Sequence, residues 1–295
     1  LSAWVKLSIT ALFWAGAFFS AKWAVDIAPP VTTAFLRFSL AGFLLLALAA
    51  ARKQLTLPRS TFLGAAGMAV VGIFIYNMFF FEGLSHTSAL NGSLIASANP
   101  AITALLARIW RKERTSLRQW FGILVSFLGV VLVISGGSLR ALLHFDVNPG
   151  DLFIVGSATC WAVYSILARG VLAKAGSIVT VTFTCIAGAI LLSPFAFQET
   201  STAWQGSGVF WACILYMAVF PSVVAYVWWN DGVREIGPAR SAIFINLVPV
   251  FVMAISVLMG RLPAAGQIAG GALVLAGVYL TASPGRKAKT PVLQS

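Results

Sequence analysis

The chain has 295 residues, 59% of them hydrophobic and 9% charged, with a mean hydropathy of +0.92 and a formal net charge of +12. A soluble domain carries roughly 25% charged residues, so this composition excludes an ordinary soluble fold. The three cysteines, Cys160, Cys185 and Cys213, lie in apolar runs with neither metal-ligand spacing nor an even count for a disulfide framework, and read as small buried hydrophobes.

A bilayer core needs about 20 apolar residues per helix. In chain order the pattern predicts spans at 5–25, 31–51, 60–81, 88–108, 117–136, 151–170, 177–197, 208–230, 238–260 and 265–282, an all-α membrane protein of ten helices. The longest connection, 137–150, contains Gly137, Pro149 and Gly150 and divides the chain in two. With the N-terminus placed in the cytoplasm, every Lys and Arg falls on the inner side except Arg140, Arg261 and the intrahelical Lys22 and Arg37. This bias puts both termini in the cytoplasm of a bacterial inner membrane and accounts for the basic charge without nucleic acid. The basic tail is 284–295.

The two parts repeat. Trp14-Ala15 recurs as Trp161-Ala162 and Lys22 as Arg169, at an offset of 147. Glu82-Gly83 recurs as Asp231-Gly232, and Pro100 as Pro249, at 149; Gln119, Gly122 and Gly129 recur as Gln267, Gly270 and Gly277 at 148. The repeats are therefore 1–136 and 151–283, and helix 1 belongs to the fold rather than to a cleaved leader. Five helices is an odd number, so the second copy enters the membrane from the opposite face. Inverted repeats of this kind underlie many secondary transporters.

Asn99-Pro100 sits in the middle of the fourth stretch, and Asn246 and Pro249 in its repeat mate. Each proline removes a backbone donor and leaves a carbonyl four residues back, on Ala96 or Ile245, without its helical partner. Such a group is costly in lipid and tolerated beside a cavity or other helices. Pro100 and Pro249 thus read as matched hinges, with helices 4 and 9 facing inward.

The run Trp14-x-Gly16-x-Phe18, Lys22, Pro30 and Arg37-Phe38, set in two five-helix halves, resembles the EamA-type permeases of the drug/metabolite transporter superfamily over about residues 5–283. Thr184 stands near the place of Arg37 in the second half, so a role for Arg37 belongs to the first half alone. The chain is most similar to bacterial amino-acid exporters, including the aromatic-amino-acid exporters of the YddG type. That resemblance implies a small-molecule substrate, an amino acid or related metabolite, and no cofactor.

Candidate substrate-binding residues are the aromatic and amide side chains of inward-facing helices: Trp14, Tyr76, Asn77, Phe80, Asn99, Trp161, Tyr164, Tyr226, Trp229 and Asn246. Rings with a few hydrogen-bonding groups suit a ligand with an apolar body and polar ends. Against this stands the role of Trp and Tyr as interfacial belts, which fits Trp4, Trp23 and Trp120 near helix ends better. Candidate gate or hinge residues are Arg37, Glu82, Pro100, Asp231 and Pro249. Lys22 has Asp26 one turn on, a structural ion pair. Arg37 either closes an outer gate, with Glu82 as partner, or attracts a substrate carboxylate. Small residues at Gly122, Ser126, Gly266 and Gly270 dock the two halves or form a homodimer face.

There is no Walker A loop, dinucleotide fingerprint or His-Glu-x-x-His, and His86 and His144 fall in or near connections. ATP-driven pumping, hydrolysis and zinc catalysis lack their groups. The expectation is export of amino acids with apolar or aromatic side chains by alternating access. The same fold carrying organic cations, drugs or other metabolites is the alternative, and a non-transporting membrane scaffold or enzyme is a different class.

Overall fold

The computed structural model describes residues 1–111, 116–135, 148–199, 206–236, 241 and 243–282. Most of the 137–150 connection, the 284–295 tail, and Lys112, Arg114, Arg140 and Arg240 lie outside the described residues. The described chain forms ten helical rods: α1 (Ala3–Val25), α2 (Pro30–Ala51), α3 (Arg59–His86), α4 (Ala89–Ala96, then Asn99–Arg111), α5 (Leu117–Ile134), α6 (Pro149–Leu172), α7 (Ser177–Glu199), α8 (Gly208–Ile236), α9 (Ile243–Asn246, then Leu247–Leu258) and α10 (Ala265–Ala282). Among the described residues, eight helices are long and apolar enough to cross a membrane; the apolar parts of the last two, Phe244–Leu258 and Ala265–Leu280, are shorter.

Local chemistry sets the ends. Pro30 and Pro149 begin α2 and α6, where a missing N–H costs nothing. Ser116 and Gln119 form a reciprocal capping box at the start of α5. The predicted break in α4 falls at Ser97 and Ala98, immediately before Asn99-Pro100. In α9 a 3₁₀ turn, Ile243–Asn246, precedes the segment that holds Pro249.

Two wide π turns interrupt α3 at Ala69–Ile75 and α8 at Ala218–Val224, which an offset of 149 carries one onto the other. Each has a polar side chain serving the disturbed backbone. Pro221 cannot donate to the carbonyl of Met217, and the Ser222 hydroxyl donates to it instead at 2.9 Å. In α3 the Asn77 amide donates to the carbonyl of Ile73 at 2.7 Å.

The main helix contacts pair α2 with α7, α5 with α10, α3 with α6 and α1 with α8. The α5–α10 contact is backbone on backbone: a methyl group added at Gly277 would lie 2.3 Å from the Ser126 nitrogen, and one at Gly129 2.6 Å from the Val274 nitrogen. Gly270 and Gly277 on α10 thus meet the Gly122, Ser126 and Gly129 face of α5 within one chain, so this small-residue face joins α5 to α10.

Contacts at the helix ends fix direction. Lys6, at the start of α1, reaches Asp231 and Glu235, at the end of α8, each at 3.7 Å. At the other end, Lys22 near the end of α1 donates to the Ser85 carbonyl in α3, and Thr87 after α3 donates to Asp151 at the start of α6 at 2.5 Å. α1 and α6 therefore begin at opposite ends of the bundle. At the second end Glu199 of α7 also accepts from the Val31 and Thr32 amides and the Thr32 hydroxyl, at 3.3, 2.7 and 2.9 Å. A carboxylate there satisfies the orphan donors of α2 and complements its dipole.

Candidate functional site

A cavity of about 70 Å³ lies where α1, α2, α3, α4, α6, α8 and α9 converge. Trp14 and Trp161 both line it. Advancing Trp14 by the repeat offset gives Trp161, and the two rings meet edge to face at 5.5 Å, with an interplanar angle of 83°. Tyr226 stands edge-on to both, at 6.2 and 5.5 Å, and Tyr76 lies 5.7 Å from Trp161 and stacks on Phe80 at 5.6 Å. Such pairs contribute about 0.5–1.5 kcal/mol each beyond area burial and hold the rings in defined planes.

Polar groups punctuate this wall. Asn99, at the start of the second segment of α4, donates to the Ala158 carbonyl of α6 at 2.7 Å and accepts from Thr103 at 3.3 Å. Ala96 and Ile245, the residues whose carbonyls Pro100 and Pro249 deprive of a donor, both line the cavity. The π turn of α8 brings two more groups inward. The Pro221 carbonyl accepts from the Trp14 indole N–H at 3.2 Å, and the Ser222 hydroxyl accepts from Arg37 Nε at 2.9 Å. Arg37 is 4% exposed, with its guanidinium 4.8 Å from the Phe38 ring centre and 5.9 Å from that of Phe81. Glu82 does not meet it; Glu82 pairs with His86, four residues on, at 3.2 Å.

Of the residues picked from sequence, the cavity gathers Trp14, Arg37, Tyr76, Phe80, Asn99, Trp161 and Tyr226. Four others stand behind the wall or beside it. Tyr164 is buried and stacks on Trp161 at 4.9 Å, and Trp229 packs on Trp14 at 5.2 Å. Asn77 turns to its own helix backbone, and Asn246 sits in the 3₁₀ turn with its Oδ1 unpartnered among the described residues. Glu82 and Asp231 lie at opposite ends of the bundle, and Pro249 lines a wholly apolar outer groove with Leu94 and Met253. Sequence reading missed Phe18, Ser93, Ser97 and Ser157 in the lining, and Pro221 with Ser222. The serines carried a signal: Ser93 and Ser97 are one turn apart on α4 and so share the face that leads to Asn99.

A bundle of long apolar helices packed around an aromatic cavity defines a multi-pass membrane protein. The EamA-like transporter family matches residues 2–135 and 148–283. The chain is 37% identical over 291 residues, covering 96% of it and 94% of the relative, to an uncharacterized transporter, YyaM, of Bacillus subtilis. It is 26% identical over 297 residues, 97% of the chain and 96% of the relative, to a probable terminal-alkyne amino-acid exporter of Streptantibioticus cattleyicolor. A solved crystal structure matches with a TM-score of 0.68 at 22% identity over 95% of this chain and 96% of that one, which supports the fold. The chain belongs to the EamA-like transporter family. It is a transporter and not an enzyme.

Proposed function

We propose that this chain is a ten-span secondary transporter of the bacterial inner membrane, made of two inverted five-helix repeats with both termini cytoplasmic. Its cargo is small metabolites, above all amino acids with apolar or aromatic side chains, and it exports them by alternating access. The observation that carries the reading is the meeting of repeat mates Trp14 and Trp161 at a cavity flanked by the breaks in α4 and α9. Wide π turns at matching places in α3 and α8, and the opposite directions of α1 and α6, support the inverted design. The amino-acid exporter among the relatives supports the cargo class. At about 70 Å³ the cavity has room for a few water molecules but not for an amino acid, so its walls part for loading.

The test is counterflow in proteoliposomes preloaded with phenylalanine, tryptophan or tyrosine. Exchange is expected, and Trp161→Ala and Tyr76→Ala each lower its rate about tenfold or more, as loss of a ring contact from a desolvated site does. Counterflow with no amino acid, or counterflow indifferent to both substitutions, would end this reading.

A further inference from the structure

Resting on the transport reading, we infer that the cavity recognises its cargo through a carboxylate held by Arg37, and that a substrate ammonium group is dispensable. The favoured class is apolar or aromatic monocarboxylic acids, amino acids being one member.

Arg37 is a cation in an apolar helix, buried and turned into the cavity. Only its Nε has a hydrogen-bond partner, the Ser222 hydroxyl, which is neutral. The terminal nitrogens have none among the described residues, and no described carboxylate lies within 4.0 Å of the guanidinium. A buried charge without a counter-ion is unfavourable, and the Phe38 and Phe81 faces offset that only in part. The two free nitrogens form the planar fork that takes both oxygens of a carboxylate. Ser222 fixes Nε, so the fork is pre-oriented rather than mobile.

The wall offers nothing equivalent to a cation. No Asp or Glu lines the cavity among the described residues. An ammonium group would find the hydroxyls of Ser93, Ser97 and Ser157, the carbonyls of Ala96 and Ile245, and the ring faces, all neutral, while sharing the space with Arg37. Those hydroxyls already donate to their own helix backbones, at 2.9, 2.6 and 2.8 Å, which leaves their lone pairs as neutral acceptors. A carboxylate gains a charge-assisted bidentate pair; an ammonium gains only neutral bonds. The remaining aromatic wall accepts the apolar body in either case.

The test is binding to the purified full chain, followed by tryptophan fluorescence and by calorimetry, with 3-phenylpropionate, phenylalanine, phenylalaninamide and phenethylamine. The expected order puts 3-phenylpropionate and phenylalanine at least roughly tenfold ahead of the two probes without a carboxylate, the size of effect a charged hydrogen-bonded pair supplies. Arg37→Gln is expected to erase that order, and Arg37→Lys to keep it with weaker binding. Equal binding of phenethylamine and 3-phenylpropionate, an order that survives Arg37→Gln, or binding of none of the four overturns the assignment. Should Arg37→Gln fail to fold, the order in the unaltered chain and in Arg37→Lys still decides. Amino-acid counterflow measured on the same preparation separates the two readings. Counterflow without the carboxylate preference leaves transport standing and removes only the role of Arg37.

Discussion

Ser222 shows how one hydroxyl serves two ends in this fold. It donates to the Met217 carbonyl that Pro221 leaves open, and accepts from Arg37. Ser222→Ala removes both bonds at a fully buried position and is expected to cost about 2–3 kcal/mol, one neutral bond and one to a charged group. Thermal unfolding in detergent checks this, and Ser222→Thr should restore part of the loss. Asn77 teaches the opposite lesson about reading sequence. An amide in an apolar segment looks like a ligand contact, yet here it bonds Ile73 in its own helix. Sequence reveals that a polar group sits at depth, but not whether backbone or cargo uses it. The rings were easier, because Trp14 and Trp161 carry their own cross-check as repeat mates. The serines were hard to read because Ser back-bonds to its own helix and so blends into apolar runs.

Helices fall into two kinds by how they meet their neighbours. α5 and α10 touch through glycine and backbone, a contact with no room for adjustment. Gly277→Leu and Gly129→Leu are each expected to destabilise by about 1–3 kcal/mol or more, read as a lower unfolding temperature. α3 and α8, by contrast, carry π turns, and such turns gather at functional sites. Pro221→Ala lets residue 221 donate to Met217 and narrows the turn, drawing the 221 carbonyl away from Trp14. Its expected effect is slower counterflow with unfolding temperature unchanged or raised, and equal loss of both would contradict it. The break in α4 was legible from Asn99-Pro100, because proline acts through local covalent geometry. The π turn of α3 was not, since Ala69–Ile75 contains no residue that demands it; in α8 Pro221 was in plain view and went unread.

The molecule as a whole is fastened differently at its two ends. Where α1 begins, Lys6 meets Asp231 and Glu235 at 3.7 Å with all three partly exposed, and such pairs contribute about 0–1 kcal/mol. Where α1 ends, Thr87 bonds Asp151, Asn148 donates to the His86 carbonyl, and Glu199 caps α2. Lys6→Ala is therefore expected to open the Lys6 end while the other stays shut. A single cysteine placed at Ala17, with Cys160, Cys185 and Cys213 replaced, should then label faster from that end only; unchanged labelling would show the tie to be immaterial. An offset in residue type was legible at this scale, but not which helices pack together: α2–α7 and α5–α10 join elements equivalent under that offset, α1–α8 and α3–α6 do not. The end ties were not legible either, since they join residues far apart in sequence and unrelated by the repeat.

The edge-to-face contact of Trp14 with Trp161 has an optical side. Two indoles 5.5 Å apart at 83° couple their excited states and are expected to give a dichroic couplet in the far ultraviolet, where the strong indole band lies. In the transport reading one indole sits in each moving half, so that signal is expected to fade on opening and would serve as an unlabelled gauge of it. Stopped-flow dichroism on mixing with cargo would read the gate in real time, with Trp14→Phe as the blank.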